Sequence, residues 1–294
     1  MIQNYINQVF NEDVLKILKS LPDSSVDMVY GDPDYNVGVN YAGKNYTTAW
    51  NEYITWYIEL TKECMRVLKP TGNLFMINYP KQNAHLRVNF LDDNAYSVHD
   101  YVWVYNTNVG HSYHHFTTAH RSILHATKTK DNNFYKDHVA LPYLNPTDKR
   151  IKQKMAEGSA GRMPYSWLYA DLVKNVSKDK TFHACQIPLS LVETLIKAAT
   201  MEGHDVFILF GGSGSEIVLC QQLKRNFISC EIHPQYYQMI LDRLAHNGKI
   251  KDEYRLDFIQ ERKNNGTEST NLRLLENMSD YVPSVVMDNE LILL

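Results

Sequence analysis

The chain is predicted to fold as an α/β protein on an open, largely parallel sheet, and three features carry that prediction. Residues 26–30 form a short apolar run closed by Gly31-Asp32-Pro33-Asp34-Tyr35-Asn36. Residues 206–210 form a second such run, closed by Gly211-Gly212-Ser213-Gly214, and a third strand-like run over 226–232 carries the acid Glu231 near its end. Apolar runs of this length, bounded by turn residues and separated by helical periodicity, read as strands of a parallel sheet covered on both faces.

Each element follows in order. Residues 14–20 read as a helix, with Asp13 placed to cap it. After the strand at 26–30, Trp50, Tyr53, Ile54, Tyr57, Leu60, Cys64, Val67 and Leu68 recur at helical spacing, so 49–68 is an amphipathic helix with its aromatics in the core. A helix end and turn over 66–73 leads to a strand at 74–78, and 101–105 is another strand continuing the first half of the parallel sheet. Beyond Asn106 the pattern loosens into His, Thr, Asn, Gly and basic residues, with strand-like pieces at 123–126 and 134–135. From His183 the α/β alternation returns: helix 189–200, strand 206–210 and its glycine loop, helix 215–223, the Glu231 strand, helix 235–245 and a late strand at 254–258. Residues 263–271 read as a linker. The tail to Leu294 alternates acidic and apolar residues, and a docking helix, a dimer contact and disorder all remain open for it.

Composition sets outer bounds. A chain of 294 residues, 44% of them hydrophobic, can bury one α/β core and carry an inserted lobe. Residues 1–10 hold Asn and Gln where a signal peptide has an apolar run, and no stretch reaches membrane-spanning length, so a cytoplasmic protein is expected. The four cysteines, Cys64, Cys185, Cys220 and Cys230, form no Cys-x-x-Cys pair, and so read as reduced core or near-core residues. A net charge of −3 means that any nucleic-acid contact must come from a local basic surface. Lys149, Arg150, Lys152 and Lys154 supply such a cluster, with Arg162 behind it and Arg121 earlier; a solvated helix face is the alternative.

Two stretches carry chemistry. An acid, a proline and an aromatic at the carboxyl end of a buried strand can clamp a planar amine. Carboxylate and proline carbonyl take its two hydrogens, and the ring stacks on its face; a type I turn is the plain alternative. A glycine turn between strand and helix lets a ligand approach the backbone, and an acid at the end of the next strand can accept both hydroxyls of a ribose.

Together these stretches resemble the amino-methylating DNA methyltransferases of the restriction-modification type, in the subgroup whose catalytic motif precedes the cofactor motif. Asp32-Pro33-Asp34-Tyr35 matches the family's Asp-Pro-Pro-Tyr, His183-Ala184-Cys185-Gln186-Ile187-Pro188 its His-x-x-Gln-Lys-Pro, and Phe210-Gly211-Gly212-Ser213-Gly214 its Phe-x-Gly-Ser-Gly. Asp13-Val14-Leu15, the segment from Leu21 to Asp27, and Arg66-Val67-Leu68-Lys69-Pro70-Thr71-Gly72-Asn73 look like the family's remaining landmarks, so the likeness covers roughly residues 8–246.

The resemblance implies a Rossmann-like class I methyltransferase fold in permuted order. Residues 1–105 supply the first half of the catalytic domain, 106–182 an inserted target-recognition region, 183–262 the second half with the cofactor loop, and 263–294 a linker and tail. It implies S-adenosyl-L-methionine as cofactor and double-stranded DNA as substrate, a cognate restriction endonuclease as functional partner, and a monomer or homodimer with no membrane attachment. Asp32, Pro33 and Tyr35 become the catalytic clamp for a base flipped out of the stack. Phe210, Gly212, Ser213 and Gly214 surround the nucleoside, Glu231 takes the ribose, Asp13 the adenine amino group, and His183, Gln186 and Pro188 line the methionine end. Asn106, Asn108, His120, Arg121, Lys149, Arg150, Lys152, Lys154 and Arg162 are expected to meet DNA. Family members with Asp first in the catalytic motif mostly methylate adenine N6 and those with Ser first cytosine N4, so adenine is expected, with cytosine as the alternative.

Three positions depart from the family pattern: Asp34 replaces the second proline, Ile187 the lysine, and Ile208 an acid. They leave open a relative that binds DNA without catalysis. His111, His114, His115 and His120 lack adjacent cysteine or carboxylate partners for zinc, so they are expected to face DNA or solvent.

Overall fold

Strand β2 (Val26–Gly31) is buried along its whole length and hydrogen-bonds on both sides to parallel strands, which makes it the centre of the architecture. The computed structural model describes residues 2–106, 113–175, 177–257 and 259. In chain order the elements are β1 (Gln8–Phe10), α1 (Val14–Ser20), β2, a hairpin of β3 (Asn40–Tyr41) and β4 (Lys44–Asn45), α2 (Trp50–Val67), β5 (Leu68–Asn78), α3 (Pro80–Leu86) and the short α4 (Asp92–Asn94). Then follow β6 (Ser97–Val104), β7 (His120–Thr127), α5 (Lys149–Ala156), β8 (Trp167–Tyr169), α6 (Leu189–Ala199), β9 (Asp205–Ile208), α7 (Ser215–Gln222), β10 (Asn226–Cys230) and α8 (Pro234–Ala245).

Eight strands form one sheet in the order β1-β10-β9-β2-β5-β7-β6-β8. Strands β1, β10, β9, β2 and β5 are mutually parallel. The expected parallel half-sheet does not extend through residues 101–105, because β6 is antiparallel to β7, and β7 is antiparallel to β5. The piece at 123–126, expected within the insertion, is therefore an inner strand. Residues 122–127 are buried between β5 and β6, and the sheet takes in residues beyond 105. No strand forms at 134–135, and the late strand expected at 254–258 is a 3-10 turn, Asp252–Tyr254, with a single bridge from Arg255 to Thr181. Phe258 and the expected linker and tail at 263–294 lie outside the described residues.

The pleat sends Met28, Val29 and Tyr30 of β2 alternately into two cores, and Val26 is offset by the irregularity between it and Met28. Val26 and Val29 pack with α1 and with Tyr57, Leu60 and Cys64 of α2, whereas Met28 and Tyr30 pack with Leu195 and Ile196 of α6 and with Ile217 of α7. Helices thus cover both faces, the arrangement a parallel sheet requires. Chain continuity runs from β2 outward to β5 on one side, while β9 enters from the second half on the other. The carboxyl ends of β2 and β9 consequently lie side by side at the switch point: Tyr30 pairs with Ile208, and Leu209 N donates to the Tyr30 carbonyl at 2.9 Å.

Candidate active site

At this switch point opens a cavity of about 460 Å³, within the size range of small-molecule sites. Asp32, Asp34, His183, Phe210, Gly212, Ser213 and Glu231 all line it, although they come from segments up to 199 positions apart (231 − 32). Among the described residues its wall holds seven Asp or Glu and no Lys or Arg. Such a wall suits a cationic ligand.

Asp32 follows the last residue of β2, and its carboxylate accepts a hydrogen bond from the Tyr35 hydroxyl. Burial pushes the Asp32 carboxyl up to about 7, with Tyr35 and the charge of Arg121 pulling it down and Asp34 pushing it further up. The turn is braced from several elements. Gln82 of α3 donates to the Tyr35 carbonyl at 2.7 Å, and the Tyr35 ring meets Tyr79 edge-on at 5.3 Å. Tyr53 of α2 donates to the Asp34 carbonyl at 2.8 Å, and receives in turn a bond from Asn78 Nδ2 at 2.8 Å. Helical periodicity assigns Tyr53 to the core alone, and nothing in that pattern marks the hydroxyl.

Asp34 departs from the family proline, and its two oxygens differ. One accepts from the Asn36 amide at 2.8 Å; the other is buried without a hydrogen-bond partner among the described residues. Burial also raises this carboxyl. Glu216, in the first turn of α7 and only 6% exposed, adds a carboxyl that burial pushes up to about 7. Sequence alone does not single it out, because it looks like an ordinary helix-start acid.

The glycine loop closes tightly around the second half of the site. Gly212 N donates to Glu231 Oε2 and His233 N to Glu231 Oε1, both at 2.8 Å, so the Glu231 carboxylate straddles the loop and the start of α8. Burial raises Glu231 to about 7 against those two bonds. Each of its oxygens retains a lone pair for a further donor such as a ribose hydroxyl. Gly212 has φ +53°, and a side chain there would meet the His183 ring at 3.2 Å. Gly214, at φ +76°, caps α7 and is not part of the cavity wall. Beneath the loop, the buried Arg243 donates to the Ser213 carbonyl and to Ser215 Oγ, the latter at 3.0 Å.

Asp13 both lines the cavity and caps α1, accepting from Leu15 N at 2.9 Å and Lys16 N at 3.3 Å. His183 is held neutral, since burial drops its imidazole to about 3, and it packs edge-on to Tyr236 at 4.7 Å. Gln186 and Pro188, expected at the methionine end, border a separate surface pocket. Gln186 is committed to the loop itself, accepting from Thr181 N at 3.1 Å and donating to the Asp179 carbonyl at 2.9 Å; Pro188 precedes α6 as its cap. Ile187 and Ile208 are core residues. The β3–β4 hairpin has no counterpart in the sequence-based expectations: Tyr41 faces His183 at 5.6 Å, and the Tyr46 hydroxyl lies 2.7 Å from His233 Nε2, so two tyrosines roof the cavity.

The described residues expected at DNA belong to several different elements. Lys149, Arg150, Lys152 and Lys154 are on α5, outside the cavity wall, with Asp148 capping that helix. Arg162 bridges backbone to backbone with Leu141, and its guanidinium lies 4.8 Å from the centre of the Tyr165 ring. Asn106 sits in an exposed bend after β6, and His120 begins β7; Asn108 and His111 lie outside the described residues. Arg121 points at tyrosines beside the Asp32–Tyr35 turn. Among the described residues no group of His, Cys, Asp or Glu side chains is arranged to hold a metal, and no helix is long and apolar enough to cross a membrane.

An acid-Pro-x-Tyr turn and a glycine loop with its acid, opening into one cavity at the switch point of a doubly wound sheet, define a class I methyltransferase. The N6/N4 DNA methylase family model matches residues 26–242, and the chain belongs to that family. It is 28% identical over 257 residues to the type II methyltransferase M.BglII of Bacillus subtilis, covering 83% of this chain and 70% of that one. To the DNA adenine methyltransferase YhdJ of Escherichia coli K12 it is 26% identical over 252 residues, covering 82% and 83%. Among solved structures, PvuII DNA methyltransferase, cytosine-N4-specific, shares the fold with a TM-score of 0.62 at 17% identity, over 92% of this chain and 93% of that one. Structures sharing the fold include complexes with S-adenosylmethionine, the methyl donor of this family.

Proposed function

We propose that this protein methylates the exocyclic N6 of an adenine flipped out of duplex DNA, as the cytoplasmic modification enzyme of a restriction-modification pair. The observation that carries the reading is the shared cavity: Asp32 and Asp34 of the Asp32-Pro33-Asp34-Tyr35 turn and the Gly212–Glu231 pair line it, with Pro33 and Tyr35 outside its wall. S-adenosylmethionine supplies an electrophilic methyl group and carries sulfonium and ammonium charges that an acid-walled cavity favours. Glu231 and the glycine loop are assigned to its ribose, Asp13 and Phe210 to its adenine end.

The amine of adenine is a poor nucleophile because its lone pair is delocalised into the ring. Asp32 and the Pro33 carbonyl accept its two hydrogens, which favours a pyramidal nitrogen and fixes the direction of its lone pair. Positioning of this kind supplies much of the rate in a transfer between two bound groups. Tyr35 gives the base a face to stack on once it has left the helix, and Asp32 or water takes the proton. For the stack to form, the Tyr35 hydroxyl bond to Asp32 yields to the incoming amine.

Asp as the first residue of the motif favours adenine, and the likeness to an adenine methyltransferase supports the choice. Mass spectrometry of nucleosides from DNA incubated with the protein and S-adenosylmethionine tests it. N6-methyladenine is expected; N4-methylcytosine alone overturns the base and leaves the clamp, and no modified base in DNA containing all short sites overturns the reading.

A further inference from the structure

Arg121, in β7, was expected at DNA, but its guanidinium is engaged elsewhere. Nη2 donates to the Tyr79 hydroxyl at 2.8 Å, and Nη1 donates to the Tyr105 hydroxyl and to the His120 carbonyl, the latter at 3.1 Å. The same group lies 3.8 Å from the centre of the Tyr79 ring, 5.3 Å from that of Tyr105 and 5.6 Å from that of Tyr35. Tyr79 in turn abuts Tyr35, whose hydroxyl donates to Asp32. A cation thus stands behind the aromatic of the catalytic turn, joined to the reactive carboxylate through one ring.

We propose that Arg121 is a positioning residue of the methyl-transfer site: it fixes the Tyr79 and Tyr35 rings behind the Asp32 carboxyl and is the positive charge set closest to that group's own hydrogen-bonded ring. The inference rests on the reading of Asp32 as acceptor of the amine hydrogens. Its force comes from the charges around Asp32. Asp34 and Tyr35 belong to its own turn, Tyr30 comes from β2, Tyr41 from β3, Tyr53 and Tyr57 from α2, Cys185 from the segment before α6, and Glu216 from α7. Every one of these is neutral or acidic, and Arg121 is the cation set against them. Burial alone would leave the carboxyl protonated over much of the neutral range, which would weaken it as acceptor of the amine hydrogens and leave it unable to take the amine's proton. An arginine that gives both Nη atoms to tyrosine hydroxyls and a backbone carbonyl is also held away from the two-pronged geometry a phosphate takes.

Arg121→Met keeps the length and the apolar contact with the rings but removes the charge and the two-pronged donation. In the wild type, single-turnover methyl transfer should rise with pH through about 7 as Asp32 ionises. In Arg121→Met the rise should move up by about one unit, the low end for removal of a neighbouring opposite charge, so that the rate near neutrality falls by about fivefold and returns in alkali. Carbon-13 NMR titration of the aspartate carboxyls in the protein without substrates should show the same displacement independently of turnover. DNA affinity and its salt dependence should stay at wild-type values, and Arg121→Lys, which keeps the charge, should retain the wild-type midpoint. An unchanged midpoint in both readouts overturns the inference, as does a salt slope reduced by about one, the mark of a phosphate that the variant no longer neutralises. Should Arg121→Met not fold, Tyr79→Phe and Tyr105→Phe each remove one partner of the guanidinium. Slower transfer at unchanged DNA affinity then supports the role, and wild-type rates in both overturn it. A wild-type protein that methylates no DNA overturns the proposed function instead, while the NMR titration still reports what Arg121 does to Asp32.

Discussion

The hydroxyl of Tyr35 donates to the carboxylate of Asp32, so the ring and the acid of the proposed catalytic turn are one hydrogen-bonded unit. That bond favours the anionic acid, in opposition to the burial that raises it. Two effects of Tyr35 can therefore be separated. Tyr35→Phe keeps the ring and loses the bond: transfer at high pH should stay near wild type, and the acid limb of its pH profile should move upward. Tyr35→Ala loses the ring as well and should weaken capture of the flipped base by about 1–3 kcal/mol at every pH, the range for base stacking on an aromatic. Equal damage from both at high pH would rule out stacking as the main role. Pre-steady-state methylation of a short duplex, followed across the pH range, reads both.

Asp32 itself gives the sharpest expectation. Its carboxyl is raised to about 7, so below that pH it is protonated, accepts more weakly from an amine and cannot take the amine's proton. The value of kcat/KM, which reports the free enzyme, should fall as pH drops through about 7. Asp32→Ala should lower methyl transfer by orders of magnitude, because it removes a partner of the transition state, and should leave cofactor and DNA binding in place. Near wild-type turnover in this variant would exclude Asp32 from the chemistry.

The glycine loop offers a test of the cofactor site that needs no turnover. At Gly212, φ is +53° and the nearest atoms to an added Cβ are those of the His183 ring, at 3.2 Å. Gly212→Val therefore combines backbone strain with a branched side chain pushed into the cavity wall. Isothermal titration with S-adenosylmethionine should detect no binding, while circular dichroism should still show the α/β fold. Unchanged affinity would place the cofactor elsewhere.

Much of this site can be read from residue order, and the reason is local. Buried parallel strands must be apolar and must end in turns, so the positions of Asp32, Gly212 and Glu231 at strand ends follow from hydrophobic runs and their punctuation. Helix α2 is legible for a similar reason, since its buried stripe from Tyr53 to Val67 repeats at helical spacing. Strand β7 is not. Its residues His120 to Thr127 mix polar and apolar types, and their burial comes from pairing with β5 and β6, which is a long-range fact. His125 shows how: its ring stacks on Phe75 at 4.5 Å and bonds to Asn73 Oδ1 at 2.8 Å, partners about 50 positions away (125 − 75 = 50, 125 − 73 = 52). The same limit hides the bracing by Tyr53, Gln82 and Arg243, whose polar atoms meet the site only after the chain has folded.

Gly31 gives a stability test at the root of the catalytic turn. An added Cβ would come within 2.7 Å of Met76 Sδ and 2.8 Å of Leu209 Cδ1, side chains of the two segments that flank β2. Both sit in the buried core, where extra methyl groups force neighbours off their rotamers. Gly31→Ala should destabilise the protein by about 1–3 kcal/mol, read as a shift in the urea midpoint at constant slope. A midpoint equal to wild type would mean that the junction between β2 and the catalytic turn is looser than these distances imply.

The basic helix α5 calls for a different measurement, because its four cations are exposed and lie away from the cavity wall. Two arrangements fit such a helix: a face solvated for its own sake, or a track for phosphates beside the target base. Asp148 caps it and lies 3.6 Å from Arg150, so one cation is partly answered within the chain. Replacing Lys149, Arg150, Lys152 and Lys154 together by Gln keeps helix propensity and removes only charge. If the helix tracks DNA, affinity should drop and the dependence of log K on log salt should flatten by about 0.9 for each phosphate that the variant leaves unneutralised. Methyl transfer at saturating DNA should be unaffected, since none of the four residues borders the reacting groups. A salt slope equal to the wild type would assign α5 to solvent and move the search for the phosphate-binding surface to Arg162 and the segment around Asn106.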